Sequence, residues 1–262
     1  MTASAATSLR PRSVTEIVDA AFSLMRARYG AYIAITMVIE IPILFLKAAV
    51  YSDVNPSPRV VAWGPALMEF VAVSLMGSIA QGICAAAMSA DYLGEGFHLS
   101  RALVRVRDRL GTLFAAVLLQ WVVILAGFVL LIIPGLYAST RLGIVVCVAV
   151  VDERVKGGIS TIGRAWGLGK HRMERVFLTL LFMGVILVIF LFALQWLLMG
   201  LGSSWPALRS PRTQELVVSA SGCLYIPFMI AVQTVLYYDL RIRNEALDVE
   251  MMSAALGAPS PA

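Results

Sequence analysis

The chain has 262 residues, 60% of them hydrophobic and 14% charged, with a formal net charge of +5 and a mean hydropathy of +0.84. A soluble domain carries about a quarter of its residues as charges, so this composition excludes an ordinary soluble fold and describes an integral membrane protein. The apolar runs pass the roughly 20 residues that cross a hydrocarbon core of about 30 Å, which also excludes the weakly alternating strands of an outer-membrane barrel.

In chain order, residues 1–12 read as a flexible arm. Val14, Ile17, Ala21 and Leu24 then fall at helical spacing before Arg26 and Arg28, the pattern of an amphipathic interfacial helix. The first span covers residues 30–50. It contains Glu40 and has no small-residue cleavage site after it, so it is expected to stay as an anchor rather than leave as a signal peptide. The second span, residues 66–90, repeats small residues at Ser74, Ser78 and Gly82, which lets helix backbones approach closely and predicts a central position.

A second amphipathic segment follows, with Leu99, Leu103, Val106 and Leu110 set among Arg105, Arg107 and Arg109. The third span is residues 110–133 and the fourth residues 136–151, with Pro134 and Gly135 as the tight turn between them. A third amphipathic segment carries Ile159, Ile162 and Trp166 before Lys170, Arg172 and Arg175. The fifth span, residues 176–200, is bulky nearly all round and is expected to face lipid. The sixth is residues 216–238, and the proline-rich tail 251–262 should be disordered. Trp63, Trp196, Trp205, Tyr137 and Tyr238 fall near predicted interfaces, as aromatic belts do.

The expected fold is therefore all-α: six transmembrane helices arranged as three hairpins, each preceded by an interfacial helix, in one domain over residues 13–250. The three amphipathic segments, and the aspartates Asp91, Asp152 and Asp239 that end the even-numbered spans, suggest three diverged copies of one unit. Sixteen of the 21 Lys and Arg residues fall on the side of the termini, against Arg59, Arg209 and Arg212 on the other. The positive-inside rule then places both termini in the cytoplasm of a bacterial inner membrane and accounts for the basic charge without nucleic acid.

Four ionisable residues lie inside spans. Lys47 and Glu69 sit about 5 Å from span ends and can snorkel. Glu40 and Arg141 lie deeper, at similar heights, where an unpaired charge costs at least about 2.5–3.5 kcal/mol. A Glu40–Arg141 pair would satisfy both, either as a structural ion pair or, with amides such as Gln81 and Gln120, as a polar pocket for an ion, proton or lipid headgroup. If Arg141 snorkels instead, Glu40 is expected to be protonated and bonded to a neighbouring helix. Pro42 lacks an N–H and frees a carbonyl one turn earlier. The basic residues Arg26, Arg28, Arg105, Arg107, Arg109, Lys170, Arg172 and Arg175 are candidate contacts for anionic headgroups, each able to gain about 1 kcal/mol.

No catalytic constellation stands out. Cys84, Cys147 and Cys223 lie singly in apolar runs, His98 and His171 have no metal-ligand spacing, and the stretch GLGKH at residues 167–171 lacks the remainder of a phosphate-binding loop. Neither a metal nor a cofactor is expected.

Three stretches, LRPRSVTEIVDAAFSLMRARYGAYIAI, IIPGLYASTRLGIVVCVAVVDERVKGGISTIGRAWGLGKHR and VLYYDLRIRNEALD, together resemble the membrane-domain family of glycerophosphoryl diester phosphodiesterases over residues 9–248. The resemblance implies a stand-alone membrane module without the catalytic barrel, and no hydrolase residue is carried over. The function expected from the sequence is thus a non-enzymatic module that organises or recognises membrane lipid and docks a soluble partner on its basic face. The alternative is a small-solute, ion or lipid transporter with a midplane site at Glu40 and Arg141.

Overall fold

A computed structural model of the chain describes residues 11–50, 63–170 and 172–245, and these are all-helical. Helix α1 (Val14–Ala27) opens with a capping box, in which Ser13 Oγ accepts from the Glu16 N–H and the Glu16 carboxylate accepts from the Ser13 N–H. It buries Ile17, Ala21 and Met25, and the chain then turns 82° into α2 (Tyr29–Val50). The elements that follow are α3 (Trp63–Tyr92), short α4 (Leu99–Asp108), α5 (Leu110–Leu130), α6 (Ile132–Leu142) with α7 (Val145–Val151), short α8 (Gly158–Gly169), α9 (Met173–Leu201), α10 (Pro211–Ala220) and α11 (Gly222–Glu245). Five of these stretches are long and apolar enough to cross a membrane, α6 and α7 counting as one, and the count is six if the bent α1–α2 pair is one span. The protein is a polytopic helical membrane protein.

Two boundaries differ from the sequence reading. The turn between the third and fourth spans is at Leu131, whose backbone is extended, and not at Pro134–Gly135. Pro134 sits in the first turn of α6, where a missing N–H costs nothing. The hairpin is tight there: a Cβ on Gly127 would come within 2.9 Å of Gly135 Cα. The last span starts at Gly222, six residues later than expected. Residues 216–220 belong to α10, which Pro211 starts and Ser210 caps through its Oγ and the Thr213 N–H. At its other end α11 runs on to Glu245, held by the i, i+4 pairs Asp239–Arg243 and Arg241–Glu245.

The order short helix, long helix, long helix recurs three times, with α6 and α7 together as one long stretch and α10 inserted before α11. The second spans of the three units, α3, α7 and α11, touch one another at the centre, and α7 is buried along its whole length. The second span is central, as its small residues predict, and α9 is the most lipid-exposed, with 17% of its apolar window buried against 67% for α11. The short helices close the assembly in a cycle: α4 rests on α3, α8 on α5 and α7, and α1 on α11. Each unit also ties the start of its first span to the end of its second through an arginine. Arg28 lies 3.6 Å from Asp91, Arg109 donates to the Asp152 carbonyl at 2.5 Å, and Arg175 lies 3.9 Å from Asp239.

Candidate functional site

The three second spans all run toward the side that carries the short helices. In the opposite half they diverge around a cavity of about 470 Å³. Glu40 from α2, Ser74, Ser78 and Gln81 from α3, Gln120 and Trp121 from α5, Ser219 from α10, and Tyr225 and Gln233 from α11 line it. Thr36 fixes the register of α2: its hydroxyl is within hydrogen-bond distance of the Tyr32 and Ile33 carbonyls of its own helix and the Cys223 carbonyl of α11. One turn further on, Glu40 lies against the start of α11, where a Cβ on Gly222 would be 3.6 Å from its Oε1. Glu40 is half-buried. Ser78 donates to the Leu75 carbonyl of its own helix, which leaves its oxygen as an acceptor toward the cavity. The arrangement offers a carboxyl group, three amides and several hydroxyls within otherwise apolar walls, a set that suits a small hydrogen-bonding solute.

Glu40 and Arg141 do not meet. Arg141 is 6% exposed, and its guanidinium donates to the Trp166 carbonyl at 3.0 Å and to the Tyr137 hydroxyl at 2.6 Å. It also lies over both rings, 4.9 Å from the Tyr137 centroid and 5.5 Å from that of Trp166. Trp166 is in the last turn of α8, where the unpaired carbonyls carry the negative end of the helix dipole. The charge is therefore met by a helix C-terminus and two aromatic faces, and no carboxylate pairs with it among the described residues. The sequence heights of Glu40 and Arg141 matched, but α8 packs against α5, α6 and α7, and its last turn meets the arginine instead. The Tyr137 and Tyr238 side chains are likewise not belt residues: the first cages Arg141 and the second, 2% exposed, is hydrogen-bonded to Ser89. Trp196 and Trp205 are exposed as a belt requires. The side chains of Lys47, Glu69 and Trp63, and the whole of His171, lie outside the described residues.

The basic candidates divide. Arg28, Arg109 and Arg175 are used internally in the links described above. Arg105 pairs with Glu153 at 3.1 Å, and Arg107 with its neighbour Asp108 at 3.2 Å. Arg26, Lys170 and Arg172 are exposed and have no ion pair among the described residues, and Arg101 joins them. Beside these groups lies a network that the sequence does not advertise. Asp152, 1% exposed, accepts from Arg164 at 2.8 Å and from the Arg154 N–H at 3.0 Å, and Glu245 binds Arg164, Arg154 and Arg241. Burial alone would raise the Asp152 pKa, but the hydrogen bonds and charge of Arg164, with the Arg154 N–H, outweigh it and hold the carboxyl below its ordinary value. The same carboxylates push the Arg164 pKa up against the effect of its burial. The repeated aspartates were the one available signal for this network.

No group of His, Cys, Asp and Glu among the described residues is arranged to hold a metal ion. All-helical packing and five to six membrane-length apolar helices define the class of protein as a multi-pass helical membrane protein, here with a polar-lined internal cavity. Compared with protein-family models, with curated proteins and with solved structures, the chain matches none of them.

Proposed function

We propose that this is a multi-pass protein of the bacterial cytoplasmic membrane, with both termini cytoplasmic, that binds a small polar solute in the cavity around Glu40 and serves its transport. The cavity carries the proposal. A structural module would close along the whole of Ser74, Ser78 and Gly82, yet the stripe closes only toward Gly82: Ser74 is half-buried on the cavity wall, while Ser78 at the cavity's edge is 1% exposed and Gly82 is packed tight. Polar groups in hydrocarbon are expensive and are kept where they meet water, a ligand or one another. A volume near 470 Å³ falls in the range of about 300–1,000 Å³ typical of small-molecule sites.

The test is a thermal-shift survey of the detergent-solubilised protein against inorganic cations, amines, amino acids and sugars, run in parallel on Glu40→Gln. The proposal expects at least one solute class to stabilise the native protein and to lose that effect in the variant. A survey in which no solute separates the two proteins contradicts it.

A second reading, lipid recognition, is favoured by the exposed faces of the short helices. Phe22, Leu103 and Ile159 present apolar side chains there, on segments that also carry the exposed Arg26, Arg101, Lys170 and Arg172. Such faces suit insertion among anionic headgroups and docking of a soluble partner. The resemblance to the glycerophosphoryl diester phosphodiesterase membrane-domain family belongs with this reading, as does a non-enzymatic role, and both are compatible with a solute site in the opposite half.

A further inference from the structure

The cavity around Glu40 is not the only polar space on the three central helices. At their other ends, on the short-helix side, α3, α7 and α11 enclose a second cavity of about 360 Å³. Ser89, Arg105, Asp152, Glu153, Tyr238 and Arg241 are among the groups that line it. The two cavities share the same three helices. On α3 the first ends at Gln81 and the second begins at Ser89. On α7 the corresponding residues are Val146 and Val151, and on α11 they are Gln233 and Tyr238. At 1.5 Å per residue the material between them is only about 8–12 Å thick, against a hydrocarbon core of about 30 Å.

That barrier is closely packed, and it holds the large buried side chains of Met88, Leu236 and Tyr237 beside smaller ones. Cys84, Ala85, Cys147, Val148, Thr234 and Val235 are all fully buried. Among the described residues, the polar side-chain contact that joins two of its helices is between Cys147 Sγ and Thr234 Oγ1 at 3.6 Å. At its short-helix end the Ser89 and Tyr238 hydroxyls meet at 2.5 Å. Packed helices can shear past one another by small sliding motions.

We infer that a small solute crosses along the three central helices, from the cavity around Glu40 to the second cavity, and that the Cys147–Thr234 and Ser89–Tyr238 contacts form the gate. The inference rests on the reading that the first cavity admits a solute. It adds a route and a gate, which binding alone does not require.

Native cysteines make this testable on the full chain. In protein carrying Cys84→Ala and Cys223→Ala, Cys147 is the remaining thiol and lies in the barrier. Two further forms add Ser74→Cys, in the first cavity, or Ala21→Cys, which is fully buried between α1 and α11 and away from the barrier. Each is reconstituted in liposomes, exposed from either side to an impermeant cationic methanethiosulfonate, and followed by mass spectrometry.

An open state populated at about 0.1–10% gives a Cys147 rate about 10–1,000-fold below that of Ser74→Cys. Labelling at Ala21→Cys needs unfolding and runs more than about a thousandfold below Ser74→Cys. The inference predicts that order: Ser74→Cys, then Cys147, then Ala21→Cys. Reaction at Ser74→Cys with Cys147 inert, or with Cys147 no faster than Ala21→Cys, overturns the route and leaves a binding cavity. No reaction at Ser74→Cys removes the solute-accessible cavity itself, and the route with it.

Discussion

Arg141 of α6 donates to the carbonyl of Trp166 in the last turn of α8, so a charge in a membrane-spanning stretch is held by the end of a short helix rather than by a carboxylate. The contact fixes how deep α8 sits. Gly169, one turn on, packs against the same side chain, with a Cβ there 3.5 Å from Arg141 Cδ.

Arg141→Met should therefore cost about 2–3 kcal/mol, because the carbonyl and the Tyr137 hydroxyl lose a charged donor in a buried place. Arg141→Lys should recover little, since an ammonium cannot serve two partners and two rings with one planar group. Glu40→Gln should change stability independently of the Arg141 variants. The two residues share no partner among the described residues, so a double-mutant cycle on thermal or denaturant stability should show coupling below about 0.5 kcal/mol. Strong compensation in the double variant would mean that they pair.

Asp152→Asn should cost about 2–3 kcal/mol by removing the carboxylate that Arg164 and the Arg154 N–H hold. The folded pKa of Asp152 lies below its ordinary value of 3.8. Its contribution is thus complete above the unfolded value and is lost as pH falls through the folded one. Acid unfolding followed by circular dichroism should show the native protein losing more stability than Asp152→Asn below about pH 4. Equal acid sensitivity would show that Asp152 contributes no such linkage.

The small-residue stripe on α3 should behave as two halves. Gly82→Val forces a side chain against Val150 and Leu113, which a Cβ alone approaches to 3.2 and 3.3 Å, and should cost about 1–3 kcal/mol. Ser74→Val faces the cavity and should be tolerated. Melting temperatures of the two variants give the comparison, and equal losses would mean that the stripe is closed along its length.

The exposed and the engaged cations should also separate. Neutralising Arg26, Arg101, Lys170 and Arg172 should weaken stabilisation by anionic lipid by about 1 kcal/mol per residue at low salt, with the fold unchanged in neutral lipid. Arg109→Gln should destabilise in either lipid, because it removes the link to the Ala149 and Asp152 carbonyls. Lipid-dependent melting curves distinguish these outcomes.

Much of the architecture is legible in the sequence because a membrane demands it. Apolar length marks the spans, heptad-like spacing beside arginines marks α1, α4 and α8, and Ser78 and Gly82 mark α3 as central. What is not legible depends on tertiary packing. Pro134 looks like a turn because proline usually is one, but in the first turn of α6 it is harmless. Leu216 continues an apolar run, yet Ser210 and Pro211 start a separate helix that ends before Gly222. At the site, Glu40 stands out as a carboxyl within an apolar run, and Gln81 and Gln120 as amides that line the same cavity. The partner of Arg141 does not, because a backbone carbonyl at a helix end has no letter in the sequence.

The most direct measurement of the central claim is the water accessibility of the cavity wall, read by spin-label electron paramagnetic resonance in liposomes at Gln120→Cys and Val122→Cys. Gln120 lines the cavity, while Val122 on the same helix is 61% exposed on its outer surface. The account predicts that a water-soluble nickel complex relaxes the label at 120 more than oxygen does, with the reverse at 122. Oxygen dominating at both positions would mean that no polar cavity is open to water around Glu40.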